Sequence, residues 1–278
     1  MIKLGEKQAL IVVKQVEFGV YLAETPDDVE NKVLLPIKQV PENLRIGDEI
    51  EVFIYKDSKD RLIATTKTPK LVMGQVAELK VSQINKFGAF LDWGLEKDLM
   101  LPYKQQLVRL NQGDSVLVTL YIDKSDRLCA TMNVYPVLQT DSPYRKDDQV
   151  SGRVYTISDE FGAFVAVDHM YSALIPKKEL YGKVQVGDEI IARVVDVRSD
   201  GKLNLSIREK AYLQIEKDAQ EILDIIDSYD GVLPFNDKVS PEIIKRETGM
   251  SKNEFKRAVG TLLKAGKIQI TEKVIRRL

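Results

Sequence analysis

One string recurs three times in this chain and limits what it can fold into more than any other feature. Phe18-Gly19-Val20-Tyr21, Phe87-Gly88-Ala89-Phe90 and Phe161-Gly162-Ala163-Phe164 share an aromatic-Gly-small-aromatic pattern. Each is followed by a Leu/Ile-Pro pair, at Leu35-Pro36, Leu101-Pro102 and Ile175-Pro176. Eleven residues beyond each proline stands Gly-Asp, at Gly47-Asp48, Gly113-Asp114 and Gly187-Asp188, and each then enters an alternating apolar run. A turn and a short final run close each unit, at Arg61-Leu62-Ile63-Ala64, Arg127-Leu128-Cys129-Ala130 and Lys202-Leu203-Asn204-Leu205-Ser206. A spacing kept three times means three copies of one small β-domain.

Each copy holds about five short runs of period-2 alternation between Gly, Asp, Asn and Pro turns, which predicts a five-stranded Greek-key barrel of the OB type. The expected layout is a mostly β chain: barrels over 1–68, 69–138 and 150–210, a linker over 139–149, and a different domain over 211–278. The first barrel is the degenerate copy, because Glu24-Thr25-Pro26-Asp27-Asp28-Val29-Glu30-Asn31 lengthens one loop and loads it with acid. In the tail the period changes. Leu213, Ala219, Ile222, Leu223, Ile225 and Ile226 fit a helix that Asp230-Gly231 stops. Ser240-Pro241 predicts an N-cap with Pro at the first helical position, and Gly249 ends that helix. Ser251-Lys252-Asn253-Glu254 is a capping box for a longer one, with Phe255, Ala258, Val259, Leu262 and Leu263 on its apolar face. Ile268-Gln269-Ile270 and Val274-Ile275 alternate like a ribbon, so the order is that of an α+β winged helix.

Composition restricts the chemistry. The lone His169 and lone Cys129 leave no imidazole cluster, thiolate cage or disulfide. No nucleophile, base and orienting group occur together, so no catalytic residue, metal site or cofactor is expected. The carboxylate pairs Asp147-Asp148 and Asp159-Glu160 lie in turn sequence, and Trp93 reads as rim packing. The start of the sequence has no apolar run of the secretory kind and no stretch long enough to span a bilayer, so a reducing, cytoplasmic setting without membrane partners is expected. With 41 Lys+Arg against 42 Asp+Glu the total charge is near zero, and any nucleic-acid surface must be local.

The two aromatics of each string lie three apart, which in an ideal strand puts them on opposite faces. A bulge at the intervening glycine would let both face outward as a platform for unpaired bases. The other reading makes one ring of each pair core. The tail holds seven acids and one lysine from Glu216 to Asp237, then eleven bases and four acids from Lys238 to Leu278. Lys252, Asn253, Lys256, Arg257 and Lys264 on the capped helix, with Lys273, Arg276 and Arg277 on the ribbon, are the candidate phosphate contacts.

The third copy, from Gly152-Arg153-Val154 through Phe161-Gly162-Ala163-Phe164 to Lys202-Leu203-Asn204-Leu205-Ser206, resembles the RNA-binding OB-fold domain named for ribosomal protein S1. That resemblance implies single-stranded RNA as partner, held by the paired aromatics and by an acid and a base before the last strand. It assigns Phe87, Phe90, Asp123 and Arg127 in the second copy, and Phe161, Phe164 and Lys202 in the third, with Arg198 where the acid is expected. In the first copy it assigns Phe18, Tyr21, Asp57 and Arg61. Pro36, Pro102 and Pro176 stand where many relatives carry histidine, so one contact is missing. Three such domains before a winged helix are similar to the conserved virulence factor B family, which implies a non-catalytic RNA-binding regulator acting after transcription. The competing readings are a winged-helix transcription factor on duplex DNA and a protein scaffold on the ribosome or a nuclease.

Overall fold

Each repeat folds as five short strands that wrap on themselves, antiparallel except where the third and fifth pair in parallel to close the first and third barrels, and one linkage explains the spacing. In the computed structural model, which describes residues 1–28, 30–180, 184–207 and 211–278 (211–214 by backbone only), the first barrel consists of β1 (Lys7–Val16), β2 (Gly19–Ala23), β3 (Val33–Pro36), β4 (Glu49–Lys56) and β5 (Leu62–Thr65). The second has β6 (Val76–Ile84), β7 (Gly88–Asp92), β8 (Leu99–Pro102), β9 (Ser115–Ile122) and β10 (Leu128–Thr131). The third has β11 (Gln149–Ser158), β12 (Gly162–Val167), β13 (Tyr171–Pro176), β14 (Glu189–Val197) and β15 (Leu203–Ser206). The first and third close in the order β1-β2-β3-β5-β4 and its equivalent; the second is nearly closed, with no ladder between β8 and β10.

The Gly-Asp pair staples each barrel. Gly47 N–H donates to the Val12 carbonyl at 2.8 Å and Val12 N–H to Asp48 O at 2.9 Å; Gly113/Asp114 and Gly187/Asp188 repeat this on Val81 and Val154. The next residue of the first strand is bulged in every copy, since register shifts between Val12 and Lys14, Val81 and Gln83, and Val154 and Thr156. The Asp carboxylate accepts the N–H three residues back, from Arg45, Asn111 and Gln185. The expected bulge therefore exists, but on the strand beside the aromatic string rather than at its glycine.

The joints between barrels are packed. Trp93 is buried against Phe53 and Tyr55 of the first barrel at 5.7 and 6.4 Å, with its indole N–H donating to Lys97 O at 2.7 Å. Leu117, Val134 and Leu138 meet Tyr155 and Ala166 in a cluster joining the second and third barrels. Within the expected linker, Gln139 bridges to Tyr171. His169 and Asp168, both with positive φ, make the turn between β12 and β13, and His169 is half-buried.

The chain divides into two compact units, Met1–Ile207 and Arg208–Leu278. The second comprises α1 (Ala211–Ser228), β16 (Val232–Leu233), α2 (Pro241–Thr248), α3 (Lys252–Lys264), β17 (Ile268–Ile270) and β18 (Ile275–Arg277), with sheet order β16-β18-β17. Ala219, Ile222, Leu223 and Ile226 of α1 pack on Phe255, Ala258, Val259 and Leu262 of α3. The Ser251–Glu254 capping box forms as expected. Ser240 occupies the N-cap position without a side-chain cap bond. Leu263 departs from expectation, standing 48% exposed one position beyond the core stripe. Val29, named in the sequence reading, lies outside the described residues, and Leu213 is described only as backbone of α1. Among the described residues no helix is long and apolar enough to cross a membrane, and no three His, Cys, Asp or Glu side chains gather as metal ligands.

Candidate nucleic-acid interface

The first ring of each aromatic string precedes its strand. Phe18, Phe87 and Phe161 sit in the turn before β2, β7 and β12, so strand alternation does not govern them. They are 56%, 59% and 54% exposed, and equal exposure at three equivalent places marks a feature of the fold rather than one stray apolar residue. The turn is held from the 3-10 turn after the third strand: the N–H groups of Ile37, Tyr103 and Lys177 donate to the carbonyls of Phe18, Phe87 and Phe161. The following glycine permits that approach. A Cβ on Gly19, Gly88 or Gly162 would lie 2.1, 2.3 or 2.1 Å from the carbonyl oxygen of Leu35, Leu101 or Ile175.

The second ring follows ordinary alternation. Val20 and Leu22, Ala89 and Leu91, and Ala163 and Val165 point into the cores, which leaves Tyr21, Phe90 and Phe164 on the outer faces, half-buried. Neither ring of any pair enters its barrel core. Phe18 and Tyr21 meet edge to face at 6.5 Å.

The acid and base before the last strand share one turn in the first two copies. Asp57 accepts the N–H groups of Lys59 and Arg61 at 2.8 and 3.0 Å, and Asp123 accepts those of Ser125 and Arg127 at 2.8 and 2.9 Å. Asp60, Asp126 and Gly201 take the left-handed position of the turn. These carboxylates thus build the hairpin that presents the base. Arg61 folds back on Asp57, with Nη2 and Nε at 2.7 and 3.0 Å from one carboxylate oxygen. Burial pushes the Asp57 carboxyl up, but hydrogen bonds from the Arg61 side chain and the turn N–H groups outweigh it and hold the group below its ordinary value. In the third copy Arg198 replaces the acid, and Asp200 pairs with both Arg198 (3.4 Å) and Lys202 (3.1 Å).

The three faces are unequally furnished. On the second, Lys86 lies 5.1 Å from the Phe87 ring, and the Tyr103 hydroxyl donates to Asn85 O at 2.7 Å beside it. Phe90, Met100 and Arg127 line a cleft of about 150 Å³ whose opposite wall is Tyr55, Lys56 and Asp60 of the first barrel. Asp60 reaches Arg127 at 3.5 Å and Lys97 at 3.7 Å. On the third face Phe164 packs on Tyr155 at 6.3 Å, within the cluster joining barrels two and three. Lys202 lies 5.5 Å from the ring of Tyr135. Its ammonium is held above its ordinary value by the Tyr135 hydroxyl first and Asp200 second. On the first face Lys32 lies 5.3 Å from the Tyr21 ring. The sequence reading passed over Lys32, Lys86, Lys97 and Tyr135; their signal is a cation or ring next to a motif or a joint, which only the fold brings onto the face.

In the winged helix, Asn253, Lys256, Arg257 and Lys264 are exposed on α3, as are Lys273, Arg276 and Arg277 in and beside the ribbon. Two candidates are otherwise engaged. Lys252 donates to Val239 O at 2.9 Å, and Arg277 pairs with Asp227.

Comparison with known proteins agrees with this architecture. An S1 domain model matches residues 4–67 and 73–133, one described as the second domain of virulence regulatory factor CvfB matches 136–209, and a CvfB-like winged helix model matches 220–276. The conserved virulence factor B of Staphylococcus saprophyticus is 30% identical over 92% of this chain and 91% of its own. The uncharacterized protein YitL of Bacillus subtilis is 31% identical over 95% and 90%. A crystal structure of a multidomain protein with nucleic acid binding domains from Streptococcus pneumoniae aligns with 99% of this chain and 98% of its own, at 25% identity and a TM-score of 0.50.

Proposed function

The chain belongs to the conserved virulence factor B family, and on that premise we propose that it is a non-catalytic binder of single-stranded RNA that regulates gene expression after transcription. The observation that carries this reading is the thrice-repeated exposed phenylalanine, fixed by the same glycine and the same carbonyl contact in each barrel. Burying such a ring would be the cheaper choice for folding alone. Set in a turn beside a half-buried second ring and a basic hairpin, it offers a π-face to an unstacked base with cations at hand for phosphates. The second barrel is the best equipped, with Phe87, Phe90, Lys86 and Arg127 on one face. The pneumococcal relative's description as carrying nucleic acid binding domains supports the same class of ligand.

The catalytic repertoire is thin. Cys129 is buried, with its thiol pushed up to about 11 by that burial, and His169 serves a hairpin turn. The exposed cations of α3 fit a role in holding phosphates of the same strand.

Titration of fluorescein-labelled decauridine with the full chain tests the proposal. Each stacked base is worth about 1–3 kcal/mol, so Phe87→Ala is expected to weaken binding by about 5- to 150-fold. Tighter binding of a duplex DNA of equal length, or equal RNA affinities for wild type and Phe18→Ala/Phe87→Ala/Phe161→Ala, would overturn it.

A further inference from the structure

We propose that Tyr135, which follows the last strand of the second barrel, is a nucleobase-stacking residue of the third barrel's face, so that this face is shared between two repeats. The inference rests on the single-stranded RNA reading above and names a contact outside the repeated motif.

Tyr135 opens a short 3-10 turn, Tyr135–Val137, in the segment joining the two barrels. Its position is fixed by its neighbours. Val134 is fully buried and Leu138 nearly so, both in the cluster with Tyr155 and Ala166 of the third barrel, and Leu138 N–H donates to Tyr135 O. Tyr135 itself is 45% exposed. Anchored backbone on both sides of an exposed ring is the arrangement a stacking platform needs, because little side-chain or loop freedom is lost on binding.

Its surroundings are the third barrel's binding residues. Lys202, the base of that barrel's hairpin, lies over the ring, and the Phe164–Tyr155 ring pair belongs to the same inter-barrel cluster. Phe164 is half-buried there, which reduces the platform the motif alone supplies. Tyr135 makes up that loss. The preceding joint shows that the ring is not required merely to connect barrels. Thr65 and Thr131 make the same hydroxyl contact to Gln39 and Gln105, so Tyr135 corresponds to Pro69. There the neighbouring Lys70 holds the joint through Asp92 at 2.6 Å.

The test uses the full chain, fluorescein-labelled decauridine and four variants. Tyr135→Ala and Tyr135→Leu are expected to weaken binding by about 5-fold or more. Tyr135→Phe, which keeps the π-face and loses only the hydroxyl, is expected to stay within about twofold. Phe87→Ala on the second barrel serves as the reference. Wild-type affinity in Tyr135→Ala with weakened Phe87→Ala would overturn the assignment of Tyr135 and leave the RNA reading standing; absence of wild-type binding to the oligonucleotide would overturn both. An equal loss in Tyr135→Phe and Tyr135→Ala would assign the effect to the hydroxyl and its hold on Lys202, against stacking. Tyr135→Leu preserves the apolar bulk, so a loss there at unchanged thermal midpoint separates the ring's role from packing. Photocrosslinking with 5-iodouridine RNA is expected to yield an adduct on Tyr135, and adducts confined to the three turn phenylalanines would count against it.

Discussion

Gly162 carries two separate demands, a φ of +121° and a carbonyl oxygen 2.1 Å from where a Cβ would stand, whereas Gly187 in the same barrel has a φ of +97° with open space around it. Replacing Gly187 by Ala should therefore cost only backbone strain, about 1–2 kcal/mol. Gly162→Ala adds displacement of the β13 backbone and should exceed about 3 kcal/mol, the top of the ordinary range for a single substitution. Urea denaturation of both variants checks the order, and a smaller loss for Gly162→Ala would show that β13 yields. Cys129 gives a second expectation. Burial raises its thiol from 9.0 to about 11, so between those values the folded protein holds a proton that the unfolded chain releases. The native thiol should resist a thiol reagent at pH 8, and stability should fall as pH rises from about 9 through about 11. Comparison with Cys129→Ser by denaturant titration at several pH values isolates this contribution. The sequence singled out the glycine as the place where strand alternation could break, whereas the structure needs it for a close carbonyl contact. Period-2 reasoning left a bulge at the glycine and a core ring as alternatives, because a one-dimensional pattern records that two rings are out of phase and not that the first lies before the strand.

At the scale of elements, the repeat made the strand order readable, since Phe-Gly, Pro, Gly-Asp and the final turn recur at fixed distances. The bulge on β1, β6 and β11 was not readable, because the residue it turns outward differs in each copy: Val13, Ser82 and Tyr155. In the third copy that residue is the large tyrosine that packs against the preceding joint. Its role depends on a neighbour that the repeat itself does not contain. Helix signals fared according to their redundancy. The Ser251–Glu254 box has two reciprocal bonds and formed, while Ser240 with Pro241 marks the helix start without a side-chain capping bond. Ser251→Ala should therefore cost about 1 kcal/mol, whereas Ser240→Ala, which loses no capping bond, should cost less. Among the described residues the α-helices all lie in the unit Arg208–Leu278, so thermal melting followed at 222 nm reads this difference directly. Equal losses in both variants would mean that the side-chain bonds are not what stabilises these starts.

Across the whole molecule, 41 bases and 42 acids cancel, yet the cancellation is uneven along the chain. The α1 segment is acidic, and the stretch from Lys238 to the last residue carries eleven bases against four acids. The exposed rings sit in the barrels, and the densest run of bases sits in the winged helix, so the two contributions expected of the proposed RNA binding can be separated by their salt dependence. Stacking releases few counterions, while each phosphate neutralised on a single strand contributes about 0.7 to the slope of log affinity against log salt. A variant with Lys256, Arg257 and Lys264 all changed to Ala should bind decauridine with a slope shallower by up to about 2, from loss of up to three phosphate contacts. Phe87→Ala should bind more weakly at every salt concentration with the slope unchanged. Lys252 and Arg277 are already held by Val239 O and Asp227, so Lys252→Ala should move the slope less than Lys256→Ala does. If the triple variant kept the wild-type slope, the basic tail would not be holding phosphate. The near-zero net charge would then reflect a winged helix that serves some other contact, with all of the RNA affinity residing in the barrels.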